Sequence, residues 1–156
     1  MNRQEQVGAL AIGAITAGSA PAAATPQMLC PVDQEESVAE SSTGTVSSRV
    51  AQGRTITVTA HDDIWAGNWF TGWNGADGWA GTRASSAYPL PGAPRYGLIG
   101  RLGYGPWRHI GRGPVAFTNT TTGSLQTLVL RVNDNVAGNG WGAFQAEISY
   151  PCEYRP

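Results

Sequence analysis

The fold is decided by residues 124–150, SLQTLVLRVNDNVAGNGWGAFQAEISY. Residues 124–132 are mostly apolar, which predicts a long strand in the middle of a sheet. Residues 143–150 alternate, with Phe144, Ala146, Ile148 and Tyr150 on one face, which predicts a second strand with one buried face. The segment 133–142 between them is rich in Asn, Asp and Gly, the residues that form turns. The sequence therefore predicts two long strands joined by a polar loop.

The chain around this pair consists of short β-like runs separated by turn residues. Residues 54–60 alternate polar and apolar side chains with a period of two, which is typical of a half-buried strand. The shorter candidate strands are Thr45–Val50, 96–102, 107–110 and Val115–Thr118. With 21 glycines and 10 prolines in 156 residues, no window after Gly44 is long enough for a helix. This spacing predicts an all-β, antiparallel, jelly-roll-like β-sandwich.

Composition and charge exclude several classes of function. The ten basic residues are all arginine, the net charge is −1, and no basic stripe exists to neutralise a phosphate backbone, so we expect no nucleic-acid partner. The adjacent carboxylates of Asp62 and Asp63 point to opposite faces of a strand and cannot converge as a catalytic pair. No nucleophile signature or phosphate loop is present. We therefore expect no enzyme.

The domain from residue 44 to residue 156 is preceded by residues 1–43. Residues 7–17 are apolar but too short and too rich in glycine to cross a bilayer, so no transmembrane span is expected. Residues 1–24 have the layout of a secretory signal, with Arg3 ahead of the apolar segment and Ala22–Ala24 as a cleavage site. Alternatively, residues 1–30 are a docking arm for a homo-oligomer or a larger assembly. Both interpretations place the protein outside the cell, either secreted or on a virion surface.

Residues 31–48 are acidic and then rich in Ser and Thr, a composition that predicts a solvated linker or an exposed first strand. No chemistry is assigned to its carboxylates, which include Glu40. Cys30 and Cys152 stand at the two ends of the domain, without a partner at metal spacing. They form either one disulfide, which requires an oxidising compartment, or two unrelated thiols.

Four tryptophans lie among Gly, Asn and Asp between residues 61 and 95, namely Trp65, Trp69, Trp73 and Trp79. Their spacing fits neither helix nor strand, which predicts a long loop. The rings either cap an open end of the sandwich or stack on the sugar rings of a ligand.

The loop 133–142 also carries side chains that suit a binding site. Asp134 supplies a carboxylate, and Asn133, Asn135 and Asn139 supply amide oxygens, which are ligands for calcium and partners for sugar hydroxyls. The alternative is a plain turn, since these residues form turns in any case.

The segment LVLRVNDNVAGNGWGAFQAEI, together with GLIGRLG, HIGRG and GRTITVTA upstream, resembles the small calcium-dependent, galactose-binding bacterial lectins. The resemblance covers about residues 44–150, without the Trp-rich insertion. It implies that Asp134 binds both calcium and sugar, that Asn139 is a second calcium ligand, and that a backbone carbonyl near Val50 is another. Gly140 stands where the family has a further side-chain ligand.

The resulting hypothesis is a non-catalytic, lectin-like module that binds a cell-surface or extracellular glycan or polysaccharide. The candidate carbohydrate-binding residues are Asp134, Asn135, Asn139, Trp141, Trp69 and Trp73, and the candidate calcium ligands are Asp134 and Asn139. The alternative is a structural or receptor-binding component of a virion, such as a head spike, decoration or tail protein, anchored through its N-terminal arm.

Overall fold

The computed structural model describes residues 27–29, 34–150 and 153–155, and every regular element in these ranges is a strand. The strands are β1 (Gln27–Leu29), β2 (Gln34–Ala39), β3 (Thr45–Val50), β4 (Thr55–His61), β5 (Asp63–Trp65), β6 (Trp73–Gly75), β7 (Trp79–Arg83), β8 (Pro94–Arg95), β9 (Leu98–Leu102), β10 (Arg108–His109), β11 (Val115–Thr118), β12 (Gln126–Val132), β13 (Trp141–Ser149) and β14 (Glu153–Arg155). Within these ranges, no helix is long and apolar enough to span a membrane.

Two antiparallel sheets carry the fold. The smaller sheet has the order β10-β9-β12-β3. The larger sheet has β13 at its centre, with β2 on one side and β4 followed by β5 on the other. β11 extends this sheet beyond β4, and β6 extends it beyond β5. The two short pairs β1–β14 and β7–β8 complete the paired strands that the structure describes.

The core lies between the inward faces of the two sheets. Alternate residues of β4, β12 and β13 are buried, as the period of two requires. The largest fully buried side chains of the core include Phe144, Ile56, Ile64, Leu98, Leu128, Leu130 and Ile148. The prediction of an all-β, antiparallel β-sandwich is therefore confirmed.

Both long strands form where the sequence predicts them: β12 within the mostly apolar run 124–132, and β13 over the alternating residues 143–150. Phe144, Ala146 and Ile148 are buried, as predicted for one face of β13, and Tyr150 is partly buried. β3 and β11 have the bounds expected from the sequence.

The prediction of one long loop between residues 61 and 95 is wrong, because that stretch contains four short strands. β5 continues the pairing of β4 along β13, after Asp62 adopts a left-handed backbone with φ of 67°. Trp65, Trp73 and Trp79 lie in β5, β6 and β7 respectively. Isolated short strands carry too few residues to show a period, which is why the sequence pattern did not reveal them.

The prediction that Glu40 is solvated is also wrong. The acidic segment forms β2, which pairs with β13 from Ala143 to Ile148, and the Glu40 side chain directly after β2 is fully buried. The proposed signal or docking arm lies outside the described residues, except that residues 27–29 form β1. Cys30 and Cys152 also lie outside the described residues.

Candidate functional site

The loop between β12 and β13 is held at its start by Asn133. The buried Asn133 side chain accepts a hydrogen bond from the Leu90 backbone N–H at 2.9 Å and donates to the carbonyls of Leu90 and Pro94 at 3.1 and 3.0 Å. Its amide is therefore committed to joining this loop to residues 90–94. The amide oxygen that the sequence suggested as a calcium or sugar ligand is not free for either role.

Asp134 turns its side chain into the protein, and only 2% of the residue is exposed. Its Oδ1 accepts a hydrogen bond from the Val136 backbone N–H at 3.1 Å, which is the bond that shapes an Asx turn. Its Oδ2 is buried and has no hydrogen-bond partner in the described residues. A buried carboxylate oxygen without a partner is costly, so this atom marks a position where a cation or a proton would be stabilised.

Glu40 reaches the same loop from the end of β2. Both Glu40 carboxylate oxygens accept hydrogen bonds from the Gly138 N–H, at 3.2 and 3.3 Å, and one also accepts from the Gly140 N–H at 3.1 Å. The Glu40 backbone N–H donates to the Gly142 carbonyl at 3.0 Å. Glu40 therefore binds the second half of the loop, from Gly138 to Gly142.

The two carboxyl groups interact electrostatically. Burial, and after it the negative charge of Glu40, raises the pKa of the Asp134 carboxyl to about 6. Two anions in a buried space repel unless a proton or a metal ion lies between them. Carboxylate oxygens are ligands that calcium prefers, and the pair carries one more carboxylate than the sequence suggested. No group of three or more acidic, His or Cys side chains suited to a metal occurs in the described residues.

The asparagines of the loop occupy different places. Asn135 and Asn139 are both exposed. The Asn139 side chain lies against Gly67, where a Cβ would approach its Oδ1 to 2.7 Å, and Gly67 has a φ of 76°. Gly140 lies so close to the Trp65 carbonyl that no side chain fits there. The absence of a side chain at position 140 is therefore a packing requirement of this chain.

A row of three tryptophans crosses three neighbouring strands beside this loop. Trp65 pairs directly with Trp73 on one side and with Trp141 on the other, so the three side chains share one face. The Trp65 and Trp141 rings stack with their centroids 4.5 Å apart. Trp73 and Trp141 remain 61% and 60% exposed. Because Trp141 follows Gly140 and precedes Gly142, the row adjoins the residues that contact Glu40.

Trp69 lies outside this row. It is 86% exposed and meets Phe70 edge to face, and Phe70 in turn meets Trp79. Neighbouring Asn68 donates a hydrogen bond from its side chain to the Tyr96 hydroxyl. Burial raises the pKa of that hydroxyl above its ordinary value, and the nearby Tyr88 adds to the effect.

Val50, which the resemblance suggested as a source of a ligand carbonyl, is not near this site. It pairs with Gln126 at the start of β12, whereas Asp134 follows the end of β12. Its carbonyl accepts a hydrogen bond from the Asn119 side chain at 2.8 Å.

Glu40 is the residue that sequence reasoning missed. It stands in an acidic run in which Glu35 is exposed and Glu36 is half-exposed, and only the buried Val38 indicates a strand with one inward face. Extending the alternation of that strand by two residues would have placed Glu40 on the buried face as well.

Comparison with solved structures finds the N-terminal domain of EclA, a PllA-like lectin, with a TM-score of 0.53 and 17% sequence identity. The match covers 78% of this chain and 98% of that chain. No family model and no curated protein matches the sequence. At this identity the likeness shows the fold alone, a β-sandwich that this chain shares with that lectin domain.

Proposed function

We propose that this protein is a non-catalytic, carbohydrate-binding module that recognises cell-surface or extracellular glycans. The observation that carries the proposal is the row Trp73–Trp65–Trp141, which exposes two indole rings next to a loop with exposed Asn135 and Asn139. Exposed indole rings offer flat apolar surface for the C–H faces of sugars, and amide groups pair with sugar hydroxyls. The lectin fold of the structural neighbour supports the same class of function.

The roles of the candidate residues follow from their exposure. Trp73 and Trp141 are placed to contact a sugar ring through their exposed surfaces, and Asn135 and Asn139 to hydrogen-bond its hydroxyl groups. Asp134 is too deeply buried to meet a sugar with its free oxygen in this arrangement. Its contribution is to shape the loop and to attract a cation.

Calcium is part of the proposal, because the Glu40–Asp134 pair provides the charge that such an ion requires. Asp134 and Glu40 would hold the ion from inside the loop, and the exposed Asn139 would contribute from outside. Bound calcium would supply coordination positions for sugar hydroxyls and would remove the repulsion between the two carboxylates. The backbone N–H groups that already bind Glu40 would keep the loop in place both with and without calcium.

A glycan array in the presence of calcium, repeated in EDTA, tests the function and the metal together. We expect binding to at least one glycan class, loss of binding in EDTA, and recovery on adding calcium. Asp134→Ala should abolish binding and Asn139→Ala should weaken it, while both variants unfold cooperatively. Glu35→Gln, an exposed change in the same acidic segment as Glu40, is the matched control.

The outcomes separate the parts of the proposal. Binding that survives both EDTA and Asp134→Ala, but is weakened in Trp141→Ala, would place the sugar on the tryptophan row without calcium. An array with no binding in either condition would contradict the carbohydrate-binding function itself. A virion component anchored through residues 1–30 stays a prediction, as do secretion and a homo-oligomer, because they depend on residues outside the described ranges.

A further inference from the structure

A cavity lies at the other end of the sandwich, far from Asp134. It has a volume of about 270 Å³ and opens between the β9–β10 hairpin and the segment that follows β11. Its lining includes Gln126 at the start of β12, whereas Asp134 follows the end of that strand. At about 3.3 Å per residue along a strand, the two places are roughly 25 Å apart. We call this cavity, lined by Leu102, Pro106, Arg108, Phe117, Gln126 and residues 118–121, the edge cleft.

The edge cleft has an apolar floor and a polar rim. Phe117 is buried and Leu102 is partly buried, so both belong to the sandwich core and form a rigid base. Thr118, Thr120 and Thr121 are exposed along the rim. Small-molecule sites have this character, with apolar walls and a few fixed polar groups.

The rim is held in shape by Asn119, which is buried. Its side-chain nitrogen donates to the carbonyls of Val50 and Ser124 at 2.8 and 2.9 Å, and its oxygen accepts from the Thr121 backbone N–H at 2.9 Å. All of its polar atoms are thus engaged within the protein. The Thr120–Thr121 backbone therefore has a fixed position next to the cleft before any ligand arrives.

Arg108 supplies the only charge of the cleft lining. Its guanidinium lies over the Phe117 ring, 4.9 Å from the ring centroid, and its Nη1 donates to the Ala116 carbonyl at 2.7 Å. These two contacts fix the guanidinium plane across the open edge of the sandwich. Within the described residues, Arg108 forms no ion pair with a carboxylate, and its Nε and Nη2 donate to no protein acceptor.

A guanidinium with a free Nε–Nη2 edge suits a bidentate pair with a carboxylate. The Thr118 hydroxyl is hydrogen-bonded to the Thr55 hydroxyl at 2.8 Å, so the hydroxyls of Thr120 and Thr121 are the ones that suit the hydroxyl groups of a ligand. The apolar floor suits the C–H face of a ring. The volume is close to the lower limit of about 300 Å³ for small-molecule sites, which restricts the occupant to one ring. We propose that the edge cleft binds an acidic sugar residue, meaning a single pyranose ring that carries a carboxylate.

The consequence of this second site is a module with two binding ends. A protein that binds one glycan at the tryptophan row and an acidic sugar at the edge cleft can bridge two polysaccharide chains, or two points on one polysaccharide chain, and so gain avidity. The edge cleft does not depend on the Asp134 site, since the two share no residue.

Nuclear magnetic resonance titration of the full ¹⁵N-labelled chain tests the proposal. Sodium glucuronate is the probe, glucose the neutral control, and sodium acetate the carboxylate without a ring, all at constant ionic strength. With glucuronate we expect saturable changes in the chemical shifts of the Gly105, Thr120 and Thr121 amide signals, with a Kd on the order of 1–10 mM. With glucose we expect no such changes. Absence of these shifts, or equal shifts with glucose, would overturn the proposal. Acetate with the affinity of glucuronate would show that the ring is not recognised, which also overturns it.

Variants then assign the carboxylate contact. Arg108→Gln should weaken glucuronate binding at least tenfold. Arg108→Lys should weaken it less, because lysine keeps the positive charge but lacks the two parallel N–H donors of a guanidinium. Arg83→Gln, an exposed arginine in β7, is the matched control and should bind as the wild type does. Glucuronate binding should persist in EDTA and in Asp134→Ala. Loss of binding in those two conditions would assign glucuronate to the first site and contradict a separate one.

Discussion

Glu40 and Asp134 are far apart in sequence, yet both side chains are buried at the β12–β13 loop. Burial is the main cause that raises the pKa of the Asp134 carboxyl, and the charge of Glu40 raises it further. Glu40 accepts hydrogen bonds from the loop backbone, whereas Asp134 keeps one oxygen without a partner in the described residues. The two residues therefore play different parts. Glu40 organises the loop, and Asp134 leaves the unsatisfied charge that a cation would neutralise.

The first prediction concerns this repulsion. In EDTA at about pH 8, where a carboxyl with a pKa of about 6 is ionised, Asp134→Asn should raise the free energy of unfolding by roughly 1–3 kcal/mol, because it removes a buried charge that lacks a partner. Urea unfolding of both proteins in EDTA measures the difference. If the Asp134→Asn variant is instead less stable than the wild type, the ionised carboxylate is already well solvated or paired in the fold.

The second prediction concerns the metal. If the pair holds calcium, millimolar calcium should raise the Tm of the wild type, because an ion that binds only the folded state stabilises it by mass action. Glu40→Gln should lose most of that rise, since it removes one of two carboxylates, and Glu35→Gln should keep it. Differential scanning calorimetry with and without calcium measures the change. An equal rise in all three proteins would place the ion elsewhere.

The third prediction concerns the tryptophan row. Trp141→Ala and Trp73→Ala should each weaken glycan binding about three- to tenfold, which corresponds to the roughly 0.5–1.5 kcal/mol of an aromatic contact. Because both rings are more than half exposed, acrylamide should quench their fluorescence and a bound glycan should protect them. Tyr104→Ala, at a side chain that is 99% exposed in the β9–β10 hairpin, is the control. Unchanged glycan affinity in both Trp variants would remove the row from the site.

The fourth prediction concerns the cysteines. β1 pairs with β14 so that Leu29 lies opposite Glu153, and these residues adjoin Cys30 and Cys152 in the sequence. We therefore expect a disulfide between the two cysteines. Closing a loop of more than about 100 residues would stabilise the fold by about 4–5 kcal/mol in the chain-entropy account. Mass spectrometry after alkylation without reduction should find no modified cysteine, and two alkylated cysteines would contradict the pairing.

The fifth prediction concerns Tyr96, which is 2% exposed and accepts a hydrogen bond from Asn68. Its folded-state pKa is raised by burial above the unfolded value of about 10. The unfolded chain therefore loses this proton first, so the stabilisation is complete below about pH 10 and is lost as the pH rises above that value. Urea unfolding between about pH 8 and pH 11 should show a steeper alkaline loss in the wild type than in Tyr96→Phe. Tyr104→Phe should follow the wild type, and equal slopes in all three proteins would contradict the assignment.

The alternation of apolar residues was sufficient to predict the sandwich. In β4 and β13 the period of two is long enough to be recognised in the sequence, and the buried residues are those it indicates, while β12 was recognised from its apolar run. The polar loop between β12 and β13 was equally visible, because Asn, Asp and Gly accumulate where two apolar strands end. The preference of residues for turns and the periodicity of a strand depend only on residues close together in the sequence, so both can be recognised from the sequence alone.

The composition of the candidate site was decided by pairing across the sheet. Residues 63–65 and 73–75 are too short to show a period, and only their register with β13 brings Trp65, Trp73 and Trp141 into one row. Glu40 looks like part of a solvated acidic run until β2 pairs with β13 and carries it into the loop. The Asn133 amide looks like a free ligand until residues 90–94 fold against it. The positions of the long strands follow from the pattern of residues that are neighbours in the sequence. The burial of Glu40, its repulsion of Asp134 and the hydrogen bonds of the Asn133 amide depend instead on residues that only the fold brings together.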